Sequence, residues 1–69
     1  MITRWKPEID ERYWYIIVDH AGISVSPARW HDYTIDKRLY NYGNCFKTKE
    51  QAEEALEKIK QVLMEVHDE

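Results

Sequence analysis

Residues 43–56, GNCFKTKEQAEEAL, decide the fold of this 69-residue chain. They fix where a loop ends, where the only long helix begins and which way that helix faces. Thr48 stands three residues before Gln51 and just ahead of an apolar periodic run. Its hydroxyl is placed to accept the Gln51 amide while the Gln51 side chain reaches back, the reciprocal pattern of a capping box. Downstream, Ala52, Ala55, Leu56, Ile59, Val62, Leu63 and Val66 recur at helical spacing. This predicts a helix over 49–66, roughly 27 Å long, with one apolar face and a charged outer surface.

Upstream of that helix, residues 12–18, RYWYIIV, are rich in aromatic and β-branched side chains over a short span, which predicts a strand. Asp19, His20, Ala21 and Gly22 then read as a turn, with a return strand over 23–30. Pro27 removes one backbone donor from that second strand and so places it at a sheet edge or breaks it in two, the edge being the preferred reading. Strand parity sets Trp14, Ile16 and Val18 on one face, expected to pack on the long helix, and Tyr13, Tyr15 and Ile17 on the other. Residues 31–42 mix turn formers with Ile35, Leu39 and Tyr42, which predicts one short helix capped by Asp32 or Thr34 and ended by Gly43 and Asn44. Residues 44–47 add a brief third strand that delivers Phe46 to the core.

The expected architecture is α+β: a small antiparallel sheet of two to three strands packed against one long C-terminal amphipathic helix, with a short middle helix. It forms a single domain over 1–69, divided into an N-terminal arm (1–10), the hairpin (11–30), a short helix and strand (31–47) and the C-terminal helix (48–67). A domain this small hides only about 60% of the surface its unfolded chain exposes. Nine aromatic residues, five of them Tyr, therefore supply much of the core. Cys45 is the only cysteine, so no internal disulfide forms, which fits a reducing compartment. Charged residues interrupt the first 20 positions and no run reaches membrane-spanning length, so a cytoplasmic protein without a membrane partner is expected.

The net charge of −3 is uneven. Residues 49–69 hold seven acidic side chains against three lysines, leaving −4, while the rest of the chain carries +1. An acidic helix on a near-neutral body argues against general nucleic-acid binding. Its plainest meaning is a solvated outer face.

The ordered combination of WKP at 5–7, YWYI at 13–16, a Gly-bearing turn, Trp30, a basic Tyr-rich segment and GNCFKTKEQAEEALEKIK at 43–60 resembles a group of small, mostly uncharacterised proteins of bacteriophages and prophages. In that group an aromatic hairpin precedes a helix start represented here by Asn44, Phe46, Lys47, Thr48, Lys49 and Glu50. The DHAG turn and Pro27 depart from the group's plainer turn and uninterrupted second strand. The resemblance implies a phage or prophage setting in a bacterial host, where many small proteins bind and inhibit a host component.

Candidate chemistry is sparse. His20, His31, His67 and Cys45 show no paired ligand spacing, Cys45 between Asn44 and Phe46 reads as a small packed side chain, and no catalytic, cofactor or metal site is expected. A non-enzymatic protein that binds a host defence or regulatory protein is the preferred reading, with a homodimer as a further expectation. Its contact surface is expected to draw on Tyr13, Tyr15, Ile17, Arg29, Trp30, Lys37, Arg38 and Tyr40. The alternative is a nucleotide or single-stranded nucleic-acid site, since Arg29, Trp30, Lys37, Arg38 and Tyr40 interleave cations with rings that stack on bases. Trp5 is read either as a lid on the sheet or as a free contact ring.

Overall fold

The computed structural model describes residues 4–67 and has the order β1 (Arg12–Asp19), β2 (Gly22–Arg29), α1 (Thr34–Asn41), α2 (Lys49–Val66). Residues 1–3 of the expected arm, and Asp68 and Glu69 of the acidic C-terminal count, lie outside the described residues. The two strands form an antiparallel hairpin in which Asp19 pairs with Gly22, Trp14 with Pro27 and Tyr13 with Ala28. Asp19 Oδ1 accepts the Ala21 N–H at 2.9 Å, and Gly22 adopts φ +122, so the reversal uses the Asp and Gly that mark it in the sequence.

The third strand shrinks to a single bridge. Phe46 and Trp14 exchange both backbone hydrogen bonds, at 2.8 and 2.9 Å. One register step along, the Asn44 side chain takes the place of a peptide unit: its Oδ1 accepts the Ile16 N–H at 2.7 Å and its Nδ2 donates to the Ile16 carbonyl at 2.8 Å. A continuous strand cannot form there because Asn44 is still engaged in ending α1. The Gly43 N–H bonds the Tyr40 carbonyl and the Asn44 N–H bonds the Leu39 carbonyl, with Gly43 at φ +81, which is a Schellman ending.

These bonds also explain Pro27. Trp14 and Ile16 direct their N–H and C=O groups away from β2, toward Phe46 and Asn44. Trp14 and Pro27 are therefore a non-hydrogen-bonded pair of the ladder, and the N–H that proline lacks would have faced outward. The strand continues through it without loss.

Helix α1 starts at Thr34, between the two starts that the expected caps imply, and is capped by neither Asp32 nor Thr34. Tyr33 occupies the N-cap, and the Asp36 carboxylate on the first turn accepts the Tyr33 N–H at 3.1 Å and the His31 N–H at 3.0 Å. Asp32 instead takes a left-handed conformation (φ 60) that turns the chain into the helix. Helix α2 has the expected bounds and Thr48 accepts the Gln51 N–H at 3.1 Å, although the returning Gln51 side-chain bond is not made.

The sheet is flanked on both faces. The Tyr13 side is closed by α1 and the N-terminal arm, whose Pro7 is buried. The Trp14 side carries α2: Lys49 Nζ lies 5.9 Å from the Trp14 ring, and Ile59 shares a cleft with Ile16, Val18, Ile23 and Phe46. Ala52 and Leu56 are the buried positions of α2. The apolar stripe was expected to stay covered to Val66, but Val62, Leu63 and Val66 are exposed, and so is Val18 at the hairpin tip. The lengths account for this. From the level of Trp14 to Val18 the sheet extends about 13 Å, against about 27 Å of helix, so roughly half of α2 runs past the hairpin.

Candidate functional site

Three rings form the centre of the Tyr13 side. Trp30 packs edge-on against Tyr13 (centroids 6.0 Å) and against Tyr40 (6.2 Å). Tyr13 and Trp30 are 1% and 2% exposed, the two largest fully buried side chains. Placing both on a contact surface is thus corrected: the same apolar content that marks a contact ring also suits a core, and here α1 and the arm supply the cover. The hydroxyl of Tyr13 donates to Asp36 Oδ1 at 2.6 Å, so Asp36 accepts from one side chain and two backbone amides and no buried side-chain polar atom among the described residues lacks a partner.

The electrostatics follow from that arrangement. Burial pushes the Asp36 carboxyl up, but the bonds from Tyr13, His31 and Tyr33 outweigh it and hold the group below its ordinary 3.8. Burial, then the bond to Asp36 and its charge, raise the Tyr13 phenol well above its ordinary 10.0. Burial and the Asp36 charge push the Cys45 thiol up to about 11, which makes it a poor nucleophile.

The basic and aromatic cluster read from the sequence does not converge. Trp30 is interior, and Tyr40 is half-buried beneath Arg4, whose guanidinium sits 4.3 Å from the ring centroid and donates to the Tyr40 carbonyl at 2.8 Å. Arg29 is exposed and donates to the Asp10 carbonyl at 2.9 Å. Lys37 pairs loosely with Asp32 at 3.8 Å, and Arg38 is exposed. The cations over the rings are Arg4 and Lys6, the latter 5.6 Å from Trp30, and Trp5 is half-buried beside them. Tyr15 and Ile17, also expected at a contact surface, are half-buried on the sheet face. Among the described residues no group of three or more His, Cys, Asp or Glu is placed to hold a metal ion, and no helix is long and apolar enough to cross a membrane.

What the chain does present is an apolar end. Ile16, Val18, Ile23, Tyr42, Phe46 and Ile59 contribute to an open cleft of about 340 Å³ beside the hairpin tip, with Tyr42 82% exposed on its rim. The Schellman turn sets Tyr42 there, since Gly43 reverses the chain directly after it. The exposed half of α2 leads away from the same cleft. Sequence reading missed this surface because Val62, Leu63 and Val66 carry the same spacing as the covered residues; what separates them is that α2 starts at the level of Trp14, part-way along the strand, which the spacing does not reveal. Comparison with family models, curated proteins and solved structures finds no match to this chain.

Proposed function

We propose that this chain is a non-enzymatic accessory protein of phage or prophage origin, acting in the host cytoplasm, that binds and inhibits a host defence or regulatory protein through the cleft at the hairpin tip. The observation that carries the reading is the cluster of large apolar side chains left open there, Val18 and Tyr42 above all. Small proteins without a partner seldom leave such a cluster uncovered. The resemblance to phage proteins supports the setting, and the use of Asp36, Tyr13 and Cys45 in packing supports a binding role over a catalytic one. A nucleotide or single-strand site is the weaker reading, because Trp30 offers no face for a base to stack on.

The test compares the wild-type chain with Val18→Asp and Tyr42→Asp baits in capture from host lysate, followed by reconstitution with the purified candidate. The reading requires a host protein that binds the wild type with micromolar or better affinity and is lost from both variants. Equal capture by all three baits overturns the cleft as the contact, and tight binding of single-stranded nucleic acid instead favours the alternative.

A further inference from the structure

We infer that two copies of this chain pair tail to tail through the half of α2 that overhangs the sheet, with the helices antiparallel about a twofold axis. The pairing does not rest on the host-protein contact: of its four stripe residues only Ile59 also lines the cleft, and Val62, Leu63 and Val66 lie beyond it.

Ile59, Val62, Leu63 and Val66 form one unbroken stripe over two helical turns, and the last three are more than half exposed. No segment among the described residues lies over them. One flank of the stripe carries charges that balance, Lys58 against Glu65, while Glu57 lies on the opposite face of the helix. The first part of the helix differs, with Lys49 against Glu50, Glu53 and Glu54. A strongly charged partner gains nothing from a balanced border, whereas a second copy does.

Direction follows from the helical period. Lys58 and Glu65 are seven residues apart and so lie on the same flank of the stripe. In an antiparallel pair each flank faces its own equivalent running the opposite way. A two-turn overlap that sets Ile59 opposite Val66 of the second copy, and Val62 opposite its Leu63, then brings Lys58 beside Glu65 of that copy, twice by symmetry. A parallel pair would instead oppose this flank to the one bearing Lys60. The intramolecular contact of Lys58 with Glu54 is long (3.8 Å) and its groups are 73% exposed, so the lysine is free to reorient. Lys60 similarly holds Glu57 at 3.7 Å outside the seam. The short overlap predicts a micromolar dimer rather than a permanent one.

Sedimentation equilibrium of the full chain tests the pairing, with far-UV circular dichroism to verify that each variant stays folded. Wild type is expected to be dimeric in the micromolar range and Val62→Lys monomeric throughout it. Lys58→Glu and Glu65→Lys are each expected to weaken the dimer about tenfold by setting like charges across both contacts, and the double variant is expected to recover wild-type affinity. A wild-type chain that remains monomeric at hundreds of micromolar overturns the inference and leaves the stripe to a different protein. A dimer whose double variant is as weak as the single ones overturns the antiparallel arrangement.

Discussion

Replacing Tyr13 with Phe removes one oxygen from the buried centre and leaves the ring against Trp30 in place. In the native chain that oxygen donates to Asp36 Oδ1 at 2.6 Å, while Oδ2 accepts the two backbone amides. The variant therefore leaves one oxygen of a buried carboxylate without a partner. A hydrogen bond to a charged group contributes about 1.5–3 kcal/mol, and a stranded buried acceptor incurs a similar penalty. We expect a loss of about 2 kcal/mol. Typical stabilities imply only about 3–10 kcal/mol for a domain of this length, so this single atom accounts for a fifth or more of the total. Near the midpoint the loss corresponds to a fall in Tm of roughly 10 °C. Urea denaturation monitored by Trp fluorescence gives the free energy, and carboxyl NMR follows Asp36, whose pKa should rise once the phenol no longer supports the charged form. An unchanged midpoint together with an unchanged Asp36 titration would show that the carboxylate does not depend on Tyr13 and would refute the account of this centre.

Asn44→Ala should cost about 2 kcal/mol, since two bonds to Ile16 disappear, and amide exchange at Ile16 should quicken; equal protection in both proteins would count against the edge role of Asn44. Thr48→Ala should lower the unfolding free energy by about 1 kcal/mol through the lost cap, read from the denaturant midpoint. Stability should also decline at both pH extremes. Asp36 is shifted down, so its contribution is complete above the ordinary 3.8 and vanishes as pH falls through its folded value; Tyr13 is shifted up, so its contribution is complete below 10.0 and is lost as pH rises toward its folded value. Midpoints measured across pH should therefore fall on each side, and Tyr13→Phe should abolish the phenol contribution on the alkaline side. Cys45, with a thiol at about 11 against an ordinary 9.0, should react with a thiol reagent at neutral pH roughly a hundredfold more slowly than a free cysteine, and a normal rate would mean that the site opens readily.

The elements legible in the sequence are those set by local chemistry. Thr48 before a periodic run defines where α2 starts, Asp19 and Gly22 define the hairpin turn, and Gly43 with Asn44 ends α1. The α+β class follows from them. What was not legible depends on distance along the chain. Nothing in its local sequence marks Asp36 as buried, since its partner Tyr13 lies 23 positions earlier, and Asn44 reads as a cap until its amide meets Ile16, 28 positions away. The candidate surface suffered most. A ring such as Trp30 has the same composition inside a core as at an interface, so its role was decided by the arm and α1, and the exposed stripe was hidden in a pattern identical to that of the covered one.

The bridge at Phe46 and Asn44 bears on a hazard carried by β1. Its segment YWYIIV is six consecutive uncharged residues of high strand propensity, the composition from which cross-β fibrils grow. On one side of the hairpin, Phe46 and the Asn44 amide occupy the outward groups of Trp14 and Ile16; on the other, Pro27 offers no donor to an arriving strand. Arg12 and Asp19 flank the segment with charge. The β1 edge is therefore shielded from further strand addition at Trp14 and Ile16, and Asn44→Ala should shorten the lag time of fibril formation under partly denaturing conditions by baring part of it.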